Sequence, residues 1–239
     1  MWPKDGVSFS LDAGRVLGVL GESGSGKTVT LRALIGLLPH NSRVEGRITV
    51  AGHEITGMSE AELREVRGTR IAMIFQEPMT ALDVTVQIQI IVLLRQLQQE
   101  LGMAVVFVTH DVGVAAEVAD RVAVMYAGRF VETGPTEKVI GWPTHSYTAG
   151  LLASTVLGAA RGQRLEAIPG SPPDMTALPP GCTFAPRCRF AEPCCRKTIP
   201  PEFAIASDRA VRCLRTAAGE IELPAPSFAE RDVRTGGLL

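Results

Sequence analysis

The chain of 239 residues carries almost no net charge, −1 with histidines neutral. That excludes a nucleic-acid binder working by charge alone, which needs a basic surface against the phosphate backbone. No run approaches the roughly eighteen apolar residues of a membrane-spanning helix, so no segment is expected to cross a bilayer. The opening Met1-Trp2-Pro3-Lys4-Asp5 lacks the apolar stretch of a secretory signal. A reducing cytosol is therefore expected, where the five cysteines form no stable disulfides. Apolar residues, in contrast, make up 46% of the chain and mean hydropathy is positive. A sizeable core follows, in one large domain or one domain with an appendage.

The stretch Gly21-Glu22-Ser23-Gly24-Ser25-Gly26-Lys27-Thr28 fits the phosphate-binding loop pattern. Such a loop needs a strand before it and a helix after it. Arg15 to Leu20 reads as a buried strand, and Thr28 to Leu38 as a helix stopped by Pro39. Gly21, Gly24 and Gly26, with Ser23 and Ser25 between them, let backbone N–H groups curl around phosphate oxygens, and the helix N-terminus adds partial positive charge. Lys27 would bridge the terminal phosphates, and Thr28 would offer its hydroxyl to Mg²⁺.

Strand-like and helix-like segments alternate through residue 142. Strands are expected at Arg47–Ala51, Arg70–Phe75, Ala104–Val108, Arg121–Tyr126 and Arg129–Glu132. Ser59 should cap a helix to Val66, with Glu62 completing a capping box. A long helix from about Thr85 to Leu101 places Ile90, Ile91, Leu94, Leu97 and Leu101 at helical spacing, and Gly102 ends it. Asp111 can cap a helix to Ala119. The fold class is α/β, a P-loop architecture with a mostly parallel sheet flanked by helices. Beyond Trp142-Pro143 no period is sustained. Nine of the sixteen prolines lie between Pro169 and Pro201, and all five cysteines between Cys182 and Cys213. A small irregular extension of that kind needs a covalent or metal staple. The expected division is a nucleotide-binding domain over 1–142, the extension over 143–215 and a tail over 216–239.

In order, these motifs resemble the ABC transporter ATPases, and more narrowly the ATP-binding subunits of oligopeptide and dipeptide permeases. The loop at 21–27 is similar to that subfamily's Walker A form. Ile71-Ala72-Met73-Ile74-Phe75-Gln76-Glu77-Pro78-Met79-Thr80 resembles its Q-loop, and Ala81-Leu82-Asp83-Val84-Thr85-Val86-Gln87 its D-loop. Val108-Thr109-His110-Asp111 resembles the switch-histidine segment, and Val122 to Gly128 the strand and turn after it. Pro143-Thr144-His145-Ser146-Tyr147-Thr148 is similar to the His-Pro-Tyr element opening the C-terminal extension, with Ser146 in place of proline. The resemblance covers about residues 5 to 215. It implies ATP and Mg²⁺ as cofactors and a second ATP-binding subunit closing over two shared nucleotides. It also implies membrane-spanning permease subunits as partners, no nucleic acid, and a peripheral place on the cytoplasmic face of the plasma membrane. Gln76 would meet Mg²⁺ or the γ-phosphate, His110 would sense the γ-phosphate, and Asp83 would serve the D-loop.

Two family motifs are missing. No Leu-Ser-Gly-Gly-Gln-like signature occurs, and no apolar strand ends in the Asp-Glu of Walker B. A single Glu77-Pro78-Met79-Thr80 runs straight into the D-loop, as if everything between two similar tetrapeptides had been removed. Losing one preorganised catalytic group costs roughly 10²–10³ in rate. Glu77 is the replacement the sequence offers for the water-activating glutamate. Peptide import powered by ATP is the leading expectation. The alternatives are a non-catalytic nucleotide- and metal-binding subunit, or a truncated product without activity of its own.

Cys182, Cys188, Cys195 and Cys213 have five, six and seventeen residues between them, and Cys194 adjoins Cys195. Structural zinc favours tighter pairs, so this spacing favours an iron–sulfur cluster over Zn²⁺, with reduced thiols as the third option. Gly181 to Cys188 resembles the permease extension, some members of which bind a [4Fe–4S] cluster, and the match selects Cys195 over Cys194.

Overall fold

The computed structural model describes residues 6–39, 41–72, 84–155 and 166–224. Strand β1, Val16–Leu20, is buried at every position, as a run of apolar residues inside a parallel sheet should be. Helix α1, Lys27–Leu34, follows the glycine-rich loop. It ends earlier than the expected Leu38. Gly36 sits at φ +67, its amide donates to Ala33 O at 3.1 Å, and Leu37 N donates to Arg32 O at 2.7 Å. This paired capping stops the helix four residues before Pro39 could. Strands β2, Thr49–Val50, and β3, His53–Glu54, form a two-residue hairpin apart from the main sheet, shorter than the expected strand from Arg47. Helix α2, Glu60–Val66, carries the expected box, with Ser59 and Glu62 bonded reciprocally.

The expected strand from Arg70 is not formed where the chain is described. Arg70 and Ile71 both donate to Val66 O, wrapping the end of α2, and Ile71 makes only an isolated bridge to Arg67. Residues 73–75 lie outside the described residues. Helix α3, Val84–Leu101, has the expected length, but its stripe stays open to solvent at Leu97 and Leu101.

Strand β4, Val105–Thr109, lies parallel to β1, and so does β5, Arg121–Tyr126, on the other side. Helix α4, Val112–Val118, covers one face, held at its start by Asp111, whose carboxylate accepts from Gly113 N and Val114 N. Strand β6, Arg129–Pro135, turns back antiparallel to β5. Helices α5, Thr136–Gly141, and α6, Ser146–Ala153, pack against the same core.

The proline- and cysteine-rich stretch is more ordered than its composition suggests. It forms a 3₁₀ turn at Ala185–Arg187, helix α7 at Pro193–Lys197, strands β7 (Phe203–Ala206) and β8 (Arg209–Val211), and helix α8 at Leu214–Ala217. Strand β8 pairs with β6, so the main sheet reads β4-β1-β5-β6-β8-β7. Glu132 of β6 is fully buried beneath this junction. Its carboxylate accepts from Thr144 N, Thr144 Oγ1 and His145 N, and pairs with Arg209 at 2.6 Å. A buried carboxylate so fully bonded ties the extension to the sheet.

Candidate functional site

The phosphate loop leaves the buried end of β1 and enters α1. Gly21 has φ +151, and a Cβ there would come within 2.3 Å of Met125 O, so only glycine lets the loop lie against β5. Gly26 caps α1 with no side-chain acceptor on the first amides. Those N–H groups therefore remain available to an anion, helped by the helix dipole. Gly128 N donates to Ser25 O at 2.8 Å, which pins the loop to the β5–β6 turn.

Lys27 is buried. Its ammonium donates to Gly21 O at 2.7 Å, Glu22 O at 2.8 Å and Ser25 Oγ at 3.3 Å. Burial holds its pKa below the usual lysine value, and the nearby Glu22 charge works in the opposite direction. A bound phosphate would take over acceptors that the loop's own carbonyls now provide. Ser23 through Val29 and His110 line an open cleft of about 520 Å³, the size of a small-molecule site. Thr28 is exposed toward solvent beside Lys27. His110 arrives from the end of β4, 83 residues along the chain from Lys27, because β4 and β1 are parallel neighbours. Gln76, Glu77 and Asp83 lie outside the described residues.

Sequence reasoning missed the residues that grip the loop from behind. Glu22 N donates to Tyr147 Oη at 2.8 Å. Burial raises the Tyr147 phenol pKa, so its oxygen is a neutral acceptor. The Glu22 carboxylate meets Arg187 in a two-pronged pair at 2.7 and 3.1 Å. No signal in one sequence joins residues 22 and 187.

Cys182, Cys188, Cys195 and Cys213 all border one small cavity of about 20 Å³, which His145 also lines. Cys194 is exposed, with its sulfur 3.9 Å from that of Cys195. Burial pushes the Cys182 thiol up to about 11, and Cys188 Sγ lies 3.4 Å from Ser146 Oγ. The cavity has room for about one water. Among the described residues, no three His, Cys, Asp or Glu side chains stand together so as to hold a metal ion. Four sulfurs are a suitable donor set for zinc or iron, but they would have to converge to bind either. His145 is occupied as the N-cap of α6, its Nδ1 accepting from Tyr147 N at 3.1 Å.

A glycine-rich loop, an inward lysine and a helix N-terminus on the parallel strands β4, β1 and β5 of a mixed sheet define a P-loop nucleotide-binding domain. The chain belongs to the ABC transporter family, which residues 4–135 match. Residues 131–195 match the oligopeptide/dipeptide transporter C-terminal region. The oligopeptide transport ATP-binding protein OppD of Haemophilus influenzae is 34% identical, with 80% of this chain and 84% of that protein covered. The protein of the same name from Bacillus subtilis is 33% identical, with 92% and 86% covered. A solved dimeric ABC transporter cassette superposes with TM-score 0.46 at 18% identity, covering 54% of this chain and 89% of that one. The alignment to the Haemophilus protein runs over 272 positions, more than this chain contains. That relative therefore includes residues with no counterpart here.

Proposed function

We propose that this chain is the ATP-binding subunit of a peptide-type ABC importer. The observation that carries this is the loop geometry: free α1 amides, a buried Lys27 and His110 lining one cleft. Lys27 and the loop amides stabilise charge on the terminal phosphates, and His110 faces the γ-phosphate. Mg²⁺, when bound with nucleotide, would neutralise phosphate charge, with the Thr28 hydroxyl as its ligand and Gln76 as a second one. Glu77 is the carboxylate the sequence offers for activating water. Partners would be membrane-spanning permease subunits and a second ATP-binding subunit, at the cytoplasmic face of the membrane. Among the described residues no helix is long and apolar enough to cross it. Peptides as cargo rest on the names of the relatives.

Calorimetry with Mg-ATPγS tests the site. Wild type should bind, and Lys27→Ala should weaken binding at least tenfold, about 1.4 kcal/mol or more. Equal binding by the two proteins, or none by wild type, overturns the assignment.

A second function reading is favoured by the alignment that outruns the chain and by the absent signature and Walker B sequences. This chain would bind ATP without completing hydrolysis. Phosphate release measured with and without a full-length partner subunit separates the two. For the extension, the four thiols border one cavity without standing together as a metal site among the described residues. Zinc or an iron–sulfur cluster there rests on the resemblance of Gly181 to Cys188 to the permease extension, with reduced thiols as the alternative. Iron, zinc and sulfide analysis of anaerobically purified protein decides it.

A further inference from the structure

Glu22 is the point where the cysteine-rich extension takes hold of the phosphate loop. All of its polar groups are engaged. Its amide is bonded to Tyr147 of α6, its carboxylate to Arg187, and its carbonyl oxygen to the Lys27 ammonium and the Ser25 amide. Arg187 is equally committed. Its Nε donates to Pro169 O at 2.8 Å, its Nη1 reaches Tyr126 Oη at 3.3 Å, and its guanidinium lies about 6 Å from the Tyr126 and Phe184 rings. The Arg187 side chain is only 5% exposed, and that of Glu22 25%.

Such a paired fork is rigid in a way that one lysine contact is not. Removing Arg187 would leave a carboxylate unpaired in a partly buried site, beside the very lysine that must receive a polyanion. The carboxylate would then compete for Lys27 and repel the incoming phosphates. Cys188 directly follows Arg187 in the chain and borders the thiol cavity. The same turn thus faces the loop on one side and the cysteines on the other.

We propose that Arg187 is a positioning residue for nucleotide binding, acting through Glu22 to hold the phosphate loop open to ATP. This rests on the nucleotide site described above and extends it to a residue 165 positions away.

The test is calorimetric titration of the full chain with Mg-ATPγS, with thermal melts confirming that each variant is folded. Arg187→Met should weaken binding about tenfold, within the range typical of coupled sites. Arg187→Lys should lose less, because it keeps the charge but not the fork. The double variant Glu22→Gln/Arg187→Met should recover most of the loss, because the unpaired carboxylate is gone. A purely structural role for Arg187 predicts no such recovery. Folded Arg187→Met protein that binds as tightly as wild type overturns the inference alone, as does a double variant as weak as the single one. A wild type that takes no nucleotide overturns the site assignment together with it.

Discussion

His145 should make this protein acid-sensitive in a defined window. The residue is 2% exposed, and burial holds its pKa down at about 4, with the neighbouring Glu132 charge opposing the drop. In the unfolded chain a histidine takes its proton near 6.5. Between those values the unfolded state binds one more proton than the folded state, so stability rises with pH across the window. The contribution is fully present above pH 6.5 and is lost as pH falls toward 4. Each pH unit is worth about 1.4 kcal/mol per proton, so the window removes about 3 kcal/mol. That is a large share of the roughly 5–15 kcal/mol that keeps a domain folded. Urea denaturation at pH 7, 6, 5 and 4.5 measures it. Other groups titrate in the same range, so the informative comparison is with His145→Asn. Asparagine keeps a side-chain acceptor at the N-cap but does not titrate. Its stability should fall less steeply with acid, by about one proton's worth of slope. Parallel slopes for the two proteins would refute the burial argument.

Two glycine substitutions probe the two close approaches on which the site depends. Gly21→Ala would place a methyl 2.3 Å from Met125 O at φ +151. It should cost about 1–3 kcal/mol of stability and abolish Mg-ATPγS binding by displacing the loop from β5, which thermal melts and calorimetry check. Gly181→Ala would place a methyl 2.3 Å from Cys195 O, breaking the 2.8 Å bond from Cys182 N to that oxygen. Peptide mapping after brief alkylation should then find Cys182 and Cys195 labelled, where wild type labels Cys194. An unchanged labelling pattern would show that the turn does not depend on that contact.

How much was legible in the sequence depended on distance along the chain. The loop and its flanking strand, the box at Ser59 and Glu62 and the Asp111 cap are each written within a few residues, and each has its local physical cause. The end of α1 was misplaced because Pro39 is the louder signal, while Gly36 acts first. The strand from Arg70 looked buried by composition, yet Arg70 and Ile71 are held by the end of α2. Strands β7 and β8 were invisible because Phe203-Ala204-Ile205-Ala206 and Arg209-Ala210-Val211 are too short to establish an alternating period. They become strands because β6 offers an edge. His110 was placed beside the loop by resemblance, and parallel pairing of β4 with β1 puts it there. The Glu22–Arg187 pair had no local signature at all.

The composition break at Trp142-Pro143 is not a break in the folded structure. Glu132 lies before it, but the groups that satisfy its carboxylate, Thr144, His145 and Arg209, all lie after it. Cutting the chain at residue 142 would leave that charge buried and unpaired, which costs several kcal/mol. The core shows the same dependence: the Tyr126 ring of β5 meets Tyr147 at a tilt, 4.5 Å between centroids, and Phe184 edge-to-face at 5.2 Å. Neither half can bury its aromatic surface without the other. The extension is therefore part of the nucleotide domain's own core, and Glu22 reaches it through Tyr147 and Arg187. A ligand that tightens the phosphate loop must stabilise the cysteine-bearing turn as well, because both share that one ion pair and coupling between sites is reciprocal.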